Sequence, residues 1–350
     1  MNTHTLVLPS DRSELQPAER SRLHQRAGAI LSRKGRWKPA EFLFWAAVAA
    51  SYFLLPEQHL LLAEIAILGL FALSLDLIIG YAGVVSLGHG AFFGLGAYIA
   101  GLTAVHLTGD PLIGLLLGGL GAALLGLTTG PLLLLRASDL TRLMVTLGVA
   151  MLLFEIANKA AWLTGGADGL QGVVIQPLFG IFEFDLWGNT AYAYALGVTF
   201  VLFLAARMVV NSPYGLSLAA IRDNAMRTRS MGIPVGPRIL AIYTFAAAIA
   251  GMAGALLTQT TGFVSLDVLA FHRSADVLLL LVLGGVGYLY GGLIGAIVFK
   301  VLQDWFSVIT PEYWMFWMGL VLLAVVLVGR ERIHRLPRLL VTRIGQGGRA

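Results

Sequence analysis

The sequence predicts an all-α fold: a polytopic transmembrane helical bundle of about 10 spans (8–10), with both termini cytoplasmic. Three observations carry that expectation. First, 57% of the 350 residues are hydrophobic, only 12% are charged, and the mean hydropathy is +0.81. A water-facing domain cannot hide that much apolar surface, because its own exterior has to meet water. Second, the apolar residues form continuous runs near the roughly 20 residues a helix needs to cross a bilayer. Strands of a membrane barrel would alternate apolar and polar positions instead. Third, 19 of the 24 Lys and Arg residues fall in three blocks, 1–40, 207–238 and 330–350, each beside an apolar run. That is the excess of basic residues found on the cytoplasmic side of membrane proteins, not a nucleic-acid-binding surface.

The apolar runs lie at 42–55, 60–79, 83–107, 112–135, 143–163, 190–210, 239–261, 274–290, 291–309 and 313–329. With the basic blocks in the cytoplasm, six runs separate the first block from the second and four separate the second from the third. Both numbers are even, as they must be. The short connection with Arg136 and Arg142 then also falls inside, and the 164–189 connection, which holds no Lys or Arg, falls outside. Residues 1–40 read as a basic cytoplasmic tail, 41–330 as the transmembrane domain and 331–350 as a second basic tail. No cleavable signal is visible, since the first apolar run starts only at Phe42. Run 42–55 is short for a crossing, and 80–96 is glycine-rich enough to be re-entrant or broken. Stretch 274–309 holds Gly284, Gly285, Gly287, Gly291 and Gly292 in its middle, and reads as two spans or one interrupted element.

Glycine contributes 42 residues, and the four-residue spacings Gly90–Gly94, Gly114–Gly118, Gly287–Gly291 and Gly291–Gly295 read as helix-packing seams. The absence of cysteine excludes disulfides and thiolate metal sites, and the seven histidines show no metal-ligand spacing, so no cofactor is expected. The 164–189 connection mixes aromatics with Asp168, Glu183 and Asp185. It reads either as a connector with an interfacial aromatic belt or as a docking surface for a soluble partner outside.

The basic segment 211–238 carries its own start and stop. Ser212 can cap a helix whose first residue is Pro213. Gly232 can supply a left-handed terminal residue, and Pro234 blocks continuation. Leu218, Ile221 and Ala225 share one face; Arg222, Asn224, Arg227 and Arg229 lie mostly elsewhere. This spacing predicts a short amphipathic helix on the cytoplasmic side. It is either an interfacial helix held by acidic headgroups or a helix seated in the groove of a motor ATPase.

Polar residues inside apolar runs are the candidates for a substrate path. Ser86, His89 and Tyr98 sit in the first glycine-broken segment, and Gly284, Gly285 and Gly287 break a second one in the other half of the chain. Interrupted helices expose backbone groups and helix ends that can meet a carboxylate or an ammonium; His89 can equally make a single helix–helix hydrogen bond. Glu155–Lys159 and Lys300–Asp304 are each four apart and fit structural ion pairs. Glu64 and Asp76 lie near opposite ends of their run. A P-loop needs Gly directly before its Lys. Lys34, Lys38, Lys159 and Lys300 follow Arg33, Trp37, Asn158 and Phe299, so no ATPase activity of the chain's own is expected.

The segment GYAGVVSLGHGAFFGLGAYIAGL at 80–102 resembles the signature of the branched-chain amino acid permease family of ATP-binding-cassette (ABC) importers. So do AIRDNAMRTRSMGIPVGPRILAIYTFAAAIAGMAGAL at 220–256 and, less specifically, LLLLVLGGVGYLYGGLIGAIVF at 278–299. The similarity covers most of residues 60–330, and within that family the chain resembles the M-type permease. The resemblance implies a bacterial inner-membrane transporter subunit rather than an enzyme. It would work with a second homologous permease, two ABC ATPase subunits and a periplasmic substrate-binding protein. Residues 212–232 would engage the ATPase, through Leu218, Ile221, Arg222, Asn224 and Gly232. Ala219, Ala220 and Ile221 stand where other importers carry a Glu-Ala-Ala loop. Related permeases handle urea and short amides. An ion-coupled secondary transporter is the mechanistic rival, with Glu64, Asp76 or His89 as its ion site.

Overall fold

The computed structural model describes residues 37–134, 139–185 and 187–328. Most of the tails expected at 1–40 and 331–350, together with Arg136, lies outside them. The order is α1 (Pro39–Leu54), α2 (His59–Asp76, prolonged by a π-helical turn Leu77–Ala82), α3 (His89–His106), α4 (Pro111–Leu134), α5 (Asp139–Lys159), the short α6 (Ala161–Thr164) and α7 (Asn189–Val210). Then come α8 (Pro213–Asp223), α9 (Ala225–Ser230), α10 (Val235–Thr261), α11 (Phe271–Gly284), α12 (Gly291–Ile309) and α13 (Trp314–Val328). Among the described residues only the isolated bridges Leu170–Val264 and Leu178–Phe182 are β-paired. The fold is all-α.

Among the described residues, six helical segments are long and apolar enough to cross a membrane: Pro56–Ala82, Pro111–Leu134, Leu140–Lys159, Asn189–Val210, Val235–Thr261 and Gly291–Ile309. The remaining apolar runs form shorter helices. The 14 residues of α11 rise about 21 Å, less than the ~30 Å hydrocarbon thickness. Run 83–107 does not start as helix; residues 83–88 are an unwound loop, and α3 begins only at His89. Stretch 274–309 is likewise interrupted at 285–290.

The bundle is built on α2 and α10. α10 packs against α4, α3 and α2, and α2 packs in turn against α7 and α12. Leu70, Ala72, Leu73 and Leu75 of α2 are fully buried, as are Ala246, Ala247, Ile249 and Ala250 of α10. The outer helices invert the pattern of a water-soluble fold. Leu116, Leu120 and Leu124 on α4, and Met144, Leu152 and Ile156 on α5, present apolar faces outward at helical spacing. Glycine lets the inner helices touch. A Cβ on Gly96 of α3 would run into the backbone of Gly251 on α10, and one on Gly118 of α4 would press on the Gly96 carbonyl. Polar side chains lock the same helices together. Thr258 donates to the Ala97 carbonyl at 3.0 Å, and Tyr194 donates to Gln259 Oε1 at 3.0 Å. α1 is anchored by an Arg207–Glu41 ion pair, with the guanidinium 4.4 Å from the Trp37 ring, and by a Ser51–Tyr192 hydroxyl contact of 2.8 Å.

Candidate functional site

The C-terminal end of α2 is a junction of three distant segments. Asp76, the last residue of α2, is fully buried, and its Oδ1 accepts the Gly287 N–H at 2.6 Å. Four residues on, in the π-helical turn, the Gly80 carbonyl accepts from Arg222 Nη1 at 2.5 Å. A Cβ on Gly80 would collide with the Asp76 carboxylate and the Gly287 backbone, so glycine is required by close approach. Gly285 (φ 105°) and Gly287 (φ 76°) turn the chain between α11 and α12 in a region that side chains rarely adopt. Gly284 lets those helices cross, since a Cβ there would strike the Gly291 carbonyl. Gly287, expected in a substrate path, and Arg222, expected at a partner surface, are thus neighbours across Gly80.

The loop 83–88 is the second feature. His89 is the first residue of α3 and fully buried. Ser74 Oγ lies 2.8 Å from His89 Nε2 and 2.6 Å from the Phe71 carbonyl. Because the serine has one hydrogen and gives it to the carbonyl, Nε2–H is the donor to Ser74. The imidazole stacks on Phe71 at 5.7 Å and 7°. Its Nδ1 and the hydroxyls of buried Ser86 and Tyr98 have no hydrogen-bond partner among the described residues. The loop is held from outside: Gly90 N–H donates to Ser274 Oγ on α11 at 2.9 Å, and Leu87 N–H to Thr146 Oγ1 on α5 at 3.2 Å. The start of α3 therefore meets the start of α11. Ser86 and His89 share this loop end. Tyr98 does not, because nine residues of helix put it about 13 Å along and on the opposite side of α3.

The third feature lies along the N-terminal half of α2. Glu64 pairs with Lys300 of α12 at 2.5 Å. The i,i+4 pairing expected for Lys300 with Asp304 is not what forms: the lysine side chain turns inward, 13% exposed, while Asp304 is exposed. Interhelical distance decided this, and no single-helix spacing encodes it. Glu155–Lys159 does pair along α5, at 3.5 Å and well exposed. A small cavity beside Glu64–Lys300 is also lined by Arg273, Asp276 and Gln303. These three, and likewise Glu41 and Ser74, carry no local sequence signal, because each matters through a partner far away in the chain.

The basic segment is not one amphipathic helix. Ser212 Oγ accepts the Gly215 N–H at 3.4 Å at the start of α8, as its sequence suggests. The helix then stops at Asn224, which is extended (φ −163°, ψ 100°) and caps α9 through Arg227 N–H at 2.9 Å. The capping asparagine competes with the helix for its own backbone, which splits the segment in two. Leu218 and Ile221 are buried against the bundle, so the apolar face looks into this chain. Arg222, Asn224, Arg227, Arg229 and the methionines Met226 and Met231 form the exposed side. Gly232 has the expected left-handed backbone, φ 80°. Tyr214 ties α8 to α10 by donating to the Arg238 carbonyl at 2.6 Å. Burial pushes its phenol up to about 12, which keeps that donor protonated.

In the 164–189 connection Asp185 accepts the Thr190 N–H at 3.2 Å, in the first turn of α7, and Asn189 Nδ2 at 2.6 Å, while Asp168 and Glu183 are exposed. Val174, Phe179, Ile181 and Trp187 are exposed there too. No group of His, Asp and Glu among the described residues could hold a metal ion.

Residues 59–326 match the family model described as branched-chain amino acid transport system / permease component. Two curated relatives are the high-affinity branched-chain amino acid transport system permease proteins LivM of Escherichia coli and of Salmonella typhimurium. Each is 30% identical over 258 residues, an alignment covering 67% of this chain and 60% of the relative. The match thus spans about three-fifths of the relatives' length. No solved structure matches the chain.

Proposed function

The chain is a multi-pass membrane protein of the branched-chain amino acid transport permease family, and from that premise we propose that it is the membrane-spanning permease subunit of an ABC importer. It carries branched-chain or related amino acids into the cytoplasm of a bacterium, across the inner membrane, while partner subunits hydrolyse ATP. Its partners are a second homologous permease, two ABC ATPases and a periplasmic substrate-binding protein. About ten membrane segments run between cytoplasmic tails at 1–40 and 331–350, so that α8 and α9 face the cytoplasm and the 164–189 connection faces out.

The observation that carries this reading is the Arg222–Gly80 contact of 2.5 Å. Coupling needs a mechanical path from a cytoplasmic surface to the membrane route. Arg222 lies on the exposed side of the α8–α9 pair, yet its guanidinium ends on the π-helical turn of α2, beside Gly287. ATP-driven movement of a partner against Arg222, Asn224 and the Gly232 turn is passed by buried Leu218 and Ile221 to the bundle, and by Arg222 to α2. There it shifts the interrupted segments that hold Ser86 and His89 on one side and Gly284, Gly285 and Gly287 on the other. Tyr98, farther along α3, lines the same route at another level.

Gentle solubilisation from the native membrane, followed by mass spectrometry of what co-purifies, tests the assignment. Recovery of two nucleotide-binding subunits and a second permease, together with ATP-dependent L-leucine uptake, is the expected result. Uptake abolished by an uncoupler while ATP is maintained would replace it with an ion-coupled transporter. Uptake of urea or short amides but not L-leucine would keep the importer and change its cargo.

A further inference from the structure

The cavity between α2, α3, α11, α12 and α13 takes no part in that coupling path. It holds about 50 Å3, room for one or two waters. Glu64, Asp276, Lys300 and Arg273 bring two charges of each sign to it, so its formal charge is zero. Phe71 and Phe93 make an apolar wall, their ring centroids 4.4 Å apart. Glu64, Leu68 and Phe71, spaced by four and three, line it from one face of α2.

Two acceptors in the cavity have capacity to spare. Gln303 Oε1 is buried with no hydrogen-bond partner among the described residues. Asp276 forms no ion pair within 4 Å among the described residues, whereas Arg273 is held by Asp267 at 2.6 Å and Lys300 by Glu64 at 2.5 Å. A buried acceptor without a donor is costly, so an occupant that brings donors is favoured. An ammonium brings three. Lys300, with one donor on Glu64, has two more for a carboxylate. Charged side chains inside a membrane bundle are expensive and mark substrate routes.

We propose that this cleft is the membrane-embedded site for an apolar, zwitterionic α-amino acid. Asp276 and Gln303 take the ammonium, Lys300 takes the carboxylate, and Phe71 and Phe93 take the aliphatic side chain. The assignment rests on the importer reading above and adds its substrate site. At its present volume the cleft is closed, and loading it separates α2 from α11 and α12. Phe71 is also the ring on which His89 stacks, so displacing it opens the cleft toward the loop of Ser86.

The chain has no cysteine, so Leu68→Cys, at a lining position given no substrate contact, puts its single thiol in the cleft. In membranes holding the full importer with its binding protein and ATP, a methanethiosulfonate reagent reads its accessibility. L-Leucine is expected to slow labelling about tenfold, while L-leucinol, without the carboxylate, and isocaproate, without the ammonium, leave it unchanged. In parallel, Asp276→Asn is expected to lower L-leucine uptake about tenfold in importers that co-purify intact, with Asp276→Glu keeping a larger share. Labelling that ignores L-leucine in membranes that take it up, or Asp276→Asn uptake at the wild-type rate, overturns the site. If wild-type importer takes up no L-leucine, the parent reading falls and the site with it. Wild-type uptake therefore tells the two failures apart.

Discussion

Both halves of α2 carry an acid, and each acid is used differently. Glu64 meets another side chain, Lys300, in a cleft where Asp276 and Gln303 retain free capacity. Asp76 meets backbone, the N–H of Gly287, and Arg222 meets backbone again, the carbonyl of Gly80. A side-chain pair can give up one partner to a ligand as the helices part around it. A side-chain-to-backbone bond at a glycine break fixes the path of the main chain itself. The first arrangement suits selection, and the second suits transmission of force.

The largest expected effect is at the side-chain pair. Lys300→Ala takes away the ion-pair partner of the Glu64 carboxylate. Removing one member of a buried pair costs about 3–5 kcal/mol, which the partial exposure of Glu64 (37%) reduces to about 2–3. Lys300→Met together with Glu64→Leu recovers most of it, because both charges leave at once. Thermal unfolding of the detergent-solubilised complex reads this directly. Equal losses in single and double variants would show that volume, not charge, holds this end.

At the other end the expected loss is steric. Gly80→Ala drives a methyl into the Asp76 carboxylate and Gly287, at about 1–3 kcal/mol. Uptake should fall further than stability does, since the displaced groups are those that Arg222 and Gly287 bring together. Unchanged uptake in Gly80→Ala would dissolve the contrast between the two ends.

The backbone-built junction was the more legible of the two. Its glycines stand in the sequence as clusters, and the break at 285–290 and the unwinding before His89 were both foreseeable from them. Ser212, Pro213, Gly232 and Pro234 likewise marked where α8 begins and where the segment ends. The pairing of Arg222 with Gly80, 142 positions earlier, was not readable, because local spacing says nothing about which distant carbonyl a side chain reaches. The charged cleft was less legible still. Glu64, Asp276 and Lys300 lie on three helices, and the i,i+4 rule that succeeded at Glu155–Lys159 misled at Lys300 because an interhelical partner was nearer. Asn224 inside a helical pattern was the available sign that the basic segment would split.

Arg222→Ala is expected to act on coupling more than on stability. Its side chain is 44% exposed, so losing the Gly80 bond costs only about 1 kcal/mol. Uptake should nonetheless drop several-fold while ATP hydrolysis by the assembled importer continues. Arg222→Lys should restore part of it, since an ammonium can reach a carbonyl but lacks the rigid fork. Parallel loss of hydrolysis and uptake would place Arg222 in assembly instead.

The smallest effects separate the two caps of the α8–α9 pair. Asn224 Oδ1 accepts from Arg227 N–H at 2.9 Å, but Ser212 Oγ is 3.4 Å from Gly215 N. A well-formed cap contributes about 1 kcal/mol and a long one less. Asn224→Ala should therefore speed amide exchange across α9 more than Ser212→Ala speeds it across α8, which is also pinned by Leu218, Ile221 and Tyr214. If the order holds in the free chain and vanishes in the assembled complex, the surface of α9 is covered by a partner that replaces the cap. If it is the same in both, α9 stays uncovered, and force reaches the membrane through α8 and Arg222 alone.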